Sequence, residues 1–203
     1  MKKILFVLSL LACATSQADE LLDPIQNQWA ICQYQVPAAS KESCLQKLSG
    51  EADQVSATAP QRADLLIWAA IVKSSWAGAK GGMGALSLVK SAKQQLEQAI
   101  KQNPTALNGS AYTSLGSLYY QVPGWPIGFG NKEQAERMLK QALAINPDGI
   151  DPNYFYADFL LEQGKKAEAK QYFNKALAAQ PRAGRELADQ GRRKEIEGKL
   201  ANL

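Results

Sequence analysis

Residues 135–147, AERMLKQALAINP, place alanine at 135, leucine at 139, alanine at 142 and proline at 147. The same spacing returns at 92–104, AKQQLEQAIKQNP (Ala92, Leu96, Ala99, Pro104), and at 169–181, AKQYFNKALAAQP (Ala169, Phe173, Ala176, Pro181). Pro147 and Pro181 lie 34 residues apart. Residues three and four apart share one face of a helix, so each segment predicts a helix with a stripe of small residues around one large one. Proline cannot continue the helix and turns the chain. Recurrence at a fixed period predicts helical units that bury their apolar faces against their neighbours. No segment sustains the apolar–polar alternation of a half-buried strand, so no sheet is expected.

Each of these helices has a companion upstream. Tyr112, Leu115-Gly116 and Tyr119 precede the second; Asn153, Tyr156-Ala157 and Leu160 the third; Leu65, Trp68-Ala69 and Val72 the first. Small residues at Ala69, Gly116 and Ala157, opposite Ala92, Ala135 and Ala169, let two helix backbones approach. With these residues the protein resembles the tetratricopeptide repeat superfamily. The resemblance implies an all-α fold, a right-handed superhelix of antiparallel helix pairs ended by a capping helix. The expected units are an N-terminal helical hairpin at 19–58, repeats at about 59–104, 109–147 and 150–183, and the cap at 184–203.

The resemblance also implies where a guest would sit. Counted from the helix-A matches, the concave positions include Thr113, Ser117, Tyr120 and Gln121 in one repeat and Tyr154, Asp158 and Glu162 in the next. In the first repeat they include Ala63, Leu66, Ala70, Lys73 and Ser74. This groove reads polar to acidic and lacks the basic clamp that grips the terminal carboxylate of a partner. An extended peptide or a cationic or polar ligand is therefore expected, with plain solvation as the alternative.

Two units carry extra residues between helices A and B: 20 from Val72 to Ala92 and 16 from Tyr119 to Ala135, against about nine in the standard unit. Tip insertions lie on one side of a solenoid, so the two should be neighbours. The first contains a glycine-rich stretch, Gly78–Gly84, which lacks the lysine and preceding strand of a phosphate loop and reads as a flexible connection. The second, VPGWPIGFGN (122–131), holds Trp125, Ile127 and Phe129 among glycines and prolines. So apolar a loop should pack on something: either on the solenoid edge or, as a lid, on a partner. Its flanks (112–135) also resemble the periplasmic T-component proteins of TRAP transporters, which would imply a ligand-binding pore for small apolar or organic-acid molecules.

The 203 residues are 46% hydrophobic and 21% charged, an ordinary globular composition. There is no histidine, which removes Ser-His-Asp and Cys-His nucleophiles and histidine-bearing zinc sites. The 23 basic residues exceed the 19 acidic ones only slightly, which argues against nucleic acid as a partner. Lys2-Lys3, the apolar run Ile4–Ala12 and the small residues Ser16 and Ala18 read as a secretory signal peptide cleaved after Ala18. Leu10-Leu11-Ala12-Cys13 offers the alternative of a lipoprotein anchored at Cys13. After cleavage Cys32 and Cys44 remain. In the periplasm an even count suggests a disulfide stapling two helices, the alternative being two buried thiols.

Asp148-Gly-Ile-Asp151 has too few ligands for calcium and reads as a turn with a helix cap. The basic tail, Arg185 to Lys199, is expected to cover the last repeat with its charges solvated. Neither paired catalytic carboxylates nor a nucleophile–base pair can be read. The expected function is therefore a non-enzymatic exported scaffold, without metal or cofactor, that holds a periplasmic or envelope protein or peptide. The alternatives are a small-ligand accessory protein of a transport system and a wall-active enzyme.

Overall fold

A computed structural model describes residues 19–203. The expected leader with its cleavage site, and Cys13, lie outside the described residues. These form α1 (Leu22–Tyr34), α2 (Ala38–Thr58), α3 (Ala63–Lys80), α4 (Ala85–Gln102), α5 (Ser110–Gln121), α6 (Lys132–Ile145), α7 (Ile150–Glu162), α8 (Lys166–Leu177) and α9 (Glu186–Ala201). Among the described residues there is no strand, and none of the helices is long and apolar enough to cross a membrane. The expectation of an all-α array is met.

Consecutive helices pair as hairpins, α1 with α2, α3 with α4, α5 with α6 and α7 with α8, and each pair stacks on the next. The small residues are the reason. Ala69, Ala92, Ala99, Ala135, Ala142, Ala157, Ala169 and Ala176 are fully buried, as are the large residues between them, Leu96, Leu139 and Phe173. At Gly116 a Cβ would stand 2.7 Å from Leu139 Cγ and 3.2 Å from its backbone nitrogen. Gly116→Val should therefore force α5 off α6 and cost about 1–3 kcal/mol; an unchanged urea midpoint would refute this reading of the crossing.

Three expectations need correcting. The segment 78–84 is not a loop throughout: α3 runs on through Gly78 to Lys80, and only residues 81–84 turn. The first insertion thus mostly lengthens two helices. The sequence also reads Ser40 as a helix cap and Ser56 to Pro60 as a polar break, but helix α2 begins at Ala38 and extends through Thr58. Third, α9 does more than cap the last repeat. It packs on α7 and α8 and also on α1, so the last helix returns to the first. Gly191 permits this, since a Cβ there would lie 2.5 Å from the Tyr34 ring.

Cys32 on α1 and Cys44 on α2 face each other with Cα atoms 5.6 Å apart, within the span of a disulfide.

Candidate functional site

The return of α9 bounds a cavity of about 560 Å³ on the inner side of the array. Helix α1 contributes Gln26, Trp29 and Gln33; α3 contributes Trp68, Ile71 and Ser75; α5 contributes Thr113, Ser114, Ser117 and Gln121. Helix α7 adds Asp151, Tyr154 and Phe155, and the 182–195 stretch adds Arg182, Arg185, Arg192 and Glu195. Trp29 and Trp68 meet edge to face at 5.6 Å, and the Trp29 indole donates to Ser75 Oγ at 2.9 Å. That fixes two aromatic walls.

The arginines are held in place by carboxylates and rings. Arg182 donates to Asp151 Oδ2 at 2.7 Å and to Asp189 Oδ1 at 2.7 Å. Arg192 donates to Asp151 Oδ1 at 2.9 Å, pairs with Glu195, and lies over the rings of Tyr154 (4.2 Å) and Phe155 (4.8 Å). Arg185 lies 4.7 Å over the Trp68 ring and donates to Gln26 Oε1 at 3.1 Å. Guanidinium groups stack on aromatic faces in this way because the ring face is negative. Burial, followed by the neighbouring Arg182, lowers the Arg185 pKa.

Of the groove residues expected, Ser74, Thr113, Ser117, Gln121 and Tyr154 line this cavity. Tyr120, Asp158 and Glu162 do not. The Tyr120 hydroxyl donates to Asp158 Oδ2 at 2.9 Å, and Lys199 of α9 donates to Asp158 Oδ1 at 2.6 Å. Asp158 is thereby used up in holding α9, and Tyr120 in holding Asp158. Burial and the adjacent carboxylate push the Tyr120 phenol up. Glu162 is exposed away from the cavity. In the first repeat Lys73 turns from the concave face and is buried, donating to Asp53, Ser91 and Gln95 at 2.9, 3.1 and 3.2 Å.

The cavity is also not acidic. The missed residues come from α1 (Gln26, Trp29, Gln33), from α3 (Ile71, Ser75) and, from far along the sequence, from α9 and its approach (Arg182, Arg185, Arg192, Glu195). One local signal points to the last group: glycine inside a helix costs about 1 kcal/mol against alanine, so Gly191 in the basic tail marks a backbone approached by another segment.

The tip insertions are neighbours as expected. Met83 and Ile127 line a second, apolar pocket of about 490 Å³ with Ala77, Leu86, Val89, Leu118 and Val122. It shares Ser74, Gly78, Ser117 and Gln121 with the larger cavity. The 122–131 loop divides in two. Phe129 packs edge to face on Tyr119 at 5.8 Å, whereas Trp125 and Ile127 stay 89% and 59% exposed. Phe129→Ala should cost about 1.5 kcal/mol, the scale of burying one such side chain; Trp125→Ala should leave the melting temperature unchanged. Equal losses would show that Trp125 is packed.

The family profile for the tetratricopeptide repeat matches residues 127–189, from the second tip loop into α9. Over these residues the chain matches the tetratricopeptide repeat, and the described residues form an all-α array of stacked helix hairpins. Tetratricopeptide folds serve in general as scaffolds for protein–protein interaction. A search of the curated proteins finds no match. Among solved structures, the crystal structure of MamA is similar at 17% identity and a TM-score of 0.46, over 84% of this chain and 99% of that one. TTC0263, a thermophilic TPR protein of Thermus thermophilus, is similar at 18% identity and a TM-score of 0.41, over 85% and 98%.

Proposed function

We propose that the protein is an exported, non-enzymatic scaffold that holds a segment of a partner protein in the cavity between α1, α3, α5, α7 and the 182–195 stretch. The cavity carries the reading. Its serines and glutamines can bond a peptide backbone, and Trp29, Trp68 and Phe155 offer apolar walls. Export to the periplasm is supported by the leader pattern of 1–18 and by two cysteines placed where an oxidising compartment would join them. The mature protein would then begin at Asp19, the alternative being a lipid anchor at Cys13.

A photoreactive residue at Ser114, inside the cavity, should cross-link a protein in living cells, and one at exposed Gln141 on α6 should not. Equal yields, or no protein adduct from Ser114, would overturn the scaffold reading. A non-reduced mass should show a protein starting at Asp19 with Cys32 and Cys44 joined; a retained leader, a lipid or free thiols would overturn the corresponding part.

A small apolar guest is the second reading, favoured by the pocket under Ile127 with its mostly apolar lining. Native mass spectrometry of the purified protein should then release a bound small molecule.

A further inference from the structure

We infer that the cavity selects acidic segments, seating a partner carboxylate on Arg185 beside Trp68. The inference rests on the scaffold reading above and adds the chemistry of the guest. The arginines of the cavity are not equivalent. Arg182 and Arg192 are both neutralised by Asp151, and additionally by Asp189 and Glu195 respectively. Arg185 has no carboxylate within ion-pair distance among the described residues; its one side-chain hydrogen bond runs to the neutral Gln26 side chain, and its Nε is buried without an acceptor. A buried donor left unmet is costly and is met in most proteins.

The guanidinium is nonetheless fixed in direction, held over Trp68 at 4.7 Å. Such a cation presents its donors without having to order itself at the moment of binding, the arrangement that favours charge-assisted bonds to a carboxylate. Lys41 lines the same cavity as a further cation. Together, Lys41, Arg182, Arg185 and Arg192 face Asp151, Asp189 and Glu195, which leaves the site positive. The burial that lowers the Arg185 pKa would be compensated by an arriving anion. The aromatic walls and the adjoining apolar pocket suit a large apolar side chain next to the acid.

Selection from a random heptapeptide library displayed on phage tests this with the intact protein. The wild type should enrich peptides with aspartate or glutamate beside an apolar residue. A selected peptide should bind about tenfold more weakly to Arg185→Gln. Arg185→Lys should bind it with intermediate affinity, and the variant at exposed Lys194, Lys194→Gln, should bind it as wild type does. Arg185→Lys guards against a folding defect, because it loses the planar fork but keeps the charge. Enriched peptides without acidic residues would overturn the inference and leave the scaffold standing. A library that enriches nothing would count against the scaffold itself. Phenylacetate, titrated by calorimetry, separates the two sources of a carboxylate: binding of that free acid with no peptide enriched would assign Arg185 to small acids and overturn the peptide.

Discussion

Asp151→Asn should lower the unfolding free energy by about 2–3 kcal/mol, the cost of removing the shared carboxylate from a half-buried ionic cluster. A single carboxylate faces two guanidinium groups, Arg182 at 2.7 Å and Arg192 at 2.9 Å. Neutralising it leaves both cations beside Arg185 with only Asp189 and Glu195 to answer them. A drop in the urea midpoint with an unchanged slope would measure the loss; an unchanged midpoint would show that the cluster is not coupled to folding.

The same group sets an acid limb. Burial alone would raise the Asp151 pKa, but Arg182 and Arg192 outweigh it and hold the carboxyl at about 2, below its ordinary 3.8. A carboxyl depressed by folding stabilises above its unfolded pKa, and that contribution disappears as pH falls through the folded value. The wild type should thus lose on the order of 2 kcal/mol between about pH 4 and pH 2 from this group. Asp151→Asn should flatten that limb, and equal acid slopes in the two proteins would contradict the assignment.

Phe173→Ala should be more severe, at about 3–5 kcal/mol. Phe173 is fully buried at the centre of the last hairpin, and its ring lies 5.9 Å from that of Tyr154, a wall of the cavity. The ring fills the large position of the alanine-flanked stripe, between Ala169 and Ala176, neither of which can grow to close the void. A loss below about 1 kcal/mol would mean that α7 and α8 collapse onto each other without it. Guest affinity read alongside stability should fall too, since Tyr154 loses its support.

What the sequence discloses follows from the range of each interaction. Ala135, Leu139, Ala142 and Pro147 announce a hairpin because helix pairing is decided within about forty residues. The hairpins and their crossings at Gly116, Ala69 and Ala157 are legible for that reason. The cavity is legible only in part. Thr113, Ser117, Gln121 and Tyr154 lie on a helix face that the repeat spacing defines. Tyr120 and Asp158 lie on a similar face, yet α9 occupies them through Lys199. Nothing local ties Lys199 to Asp158, or Arg185 to Trp68. The sign of the charge is misread for the same cause: the concave residues alone omit the arginines that a distant segment carries in. Helix ends at Lys80 and Thr58 overrun their expected stops because Gly78 and Ser56 are tolerated inside a helix whose packing outweighs propensity.

The clasp between α9 and α1 has a kinetic meaning. The Arg185–Gln26 bond closes a loop of 159 residues, whereas the hairpins are made by segments close in sequence. Short loops close first and distant contacts wait for them, so the rim of the cavity should be the last part of the molecule to assemble and the first to part. Amide exchange in α9 should accordingly outrun that in α5 and α6, so a guest could enter through a seam that opens while the stacked hairpins stay intact.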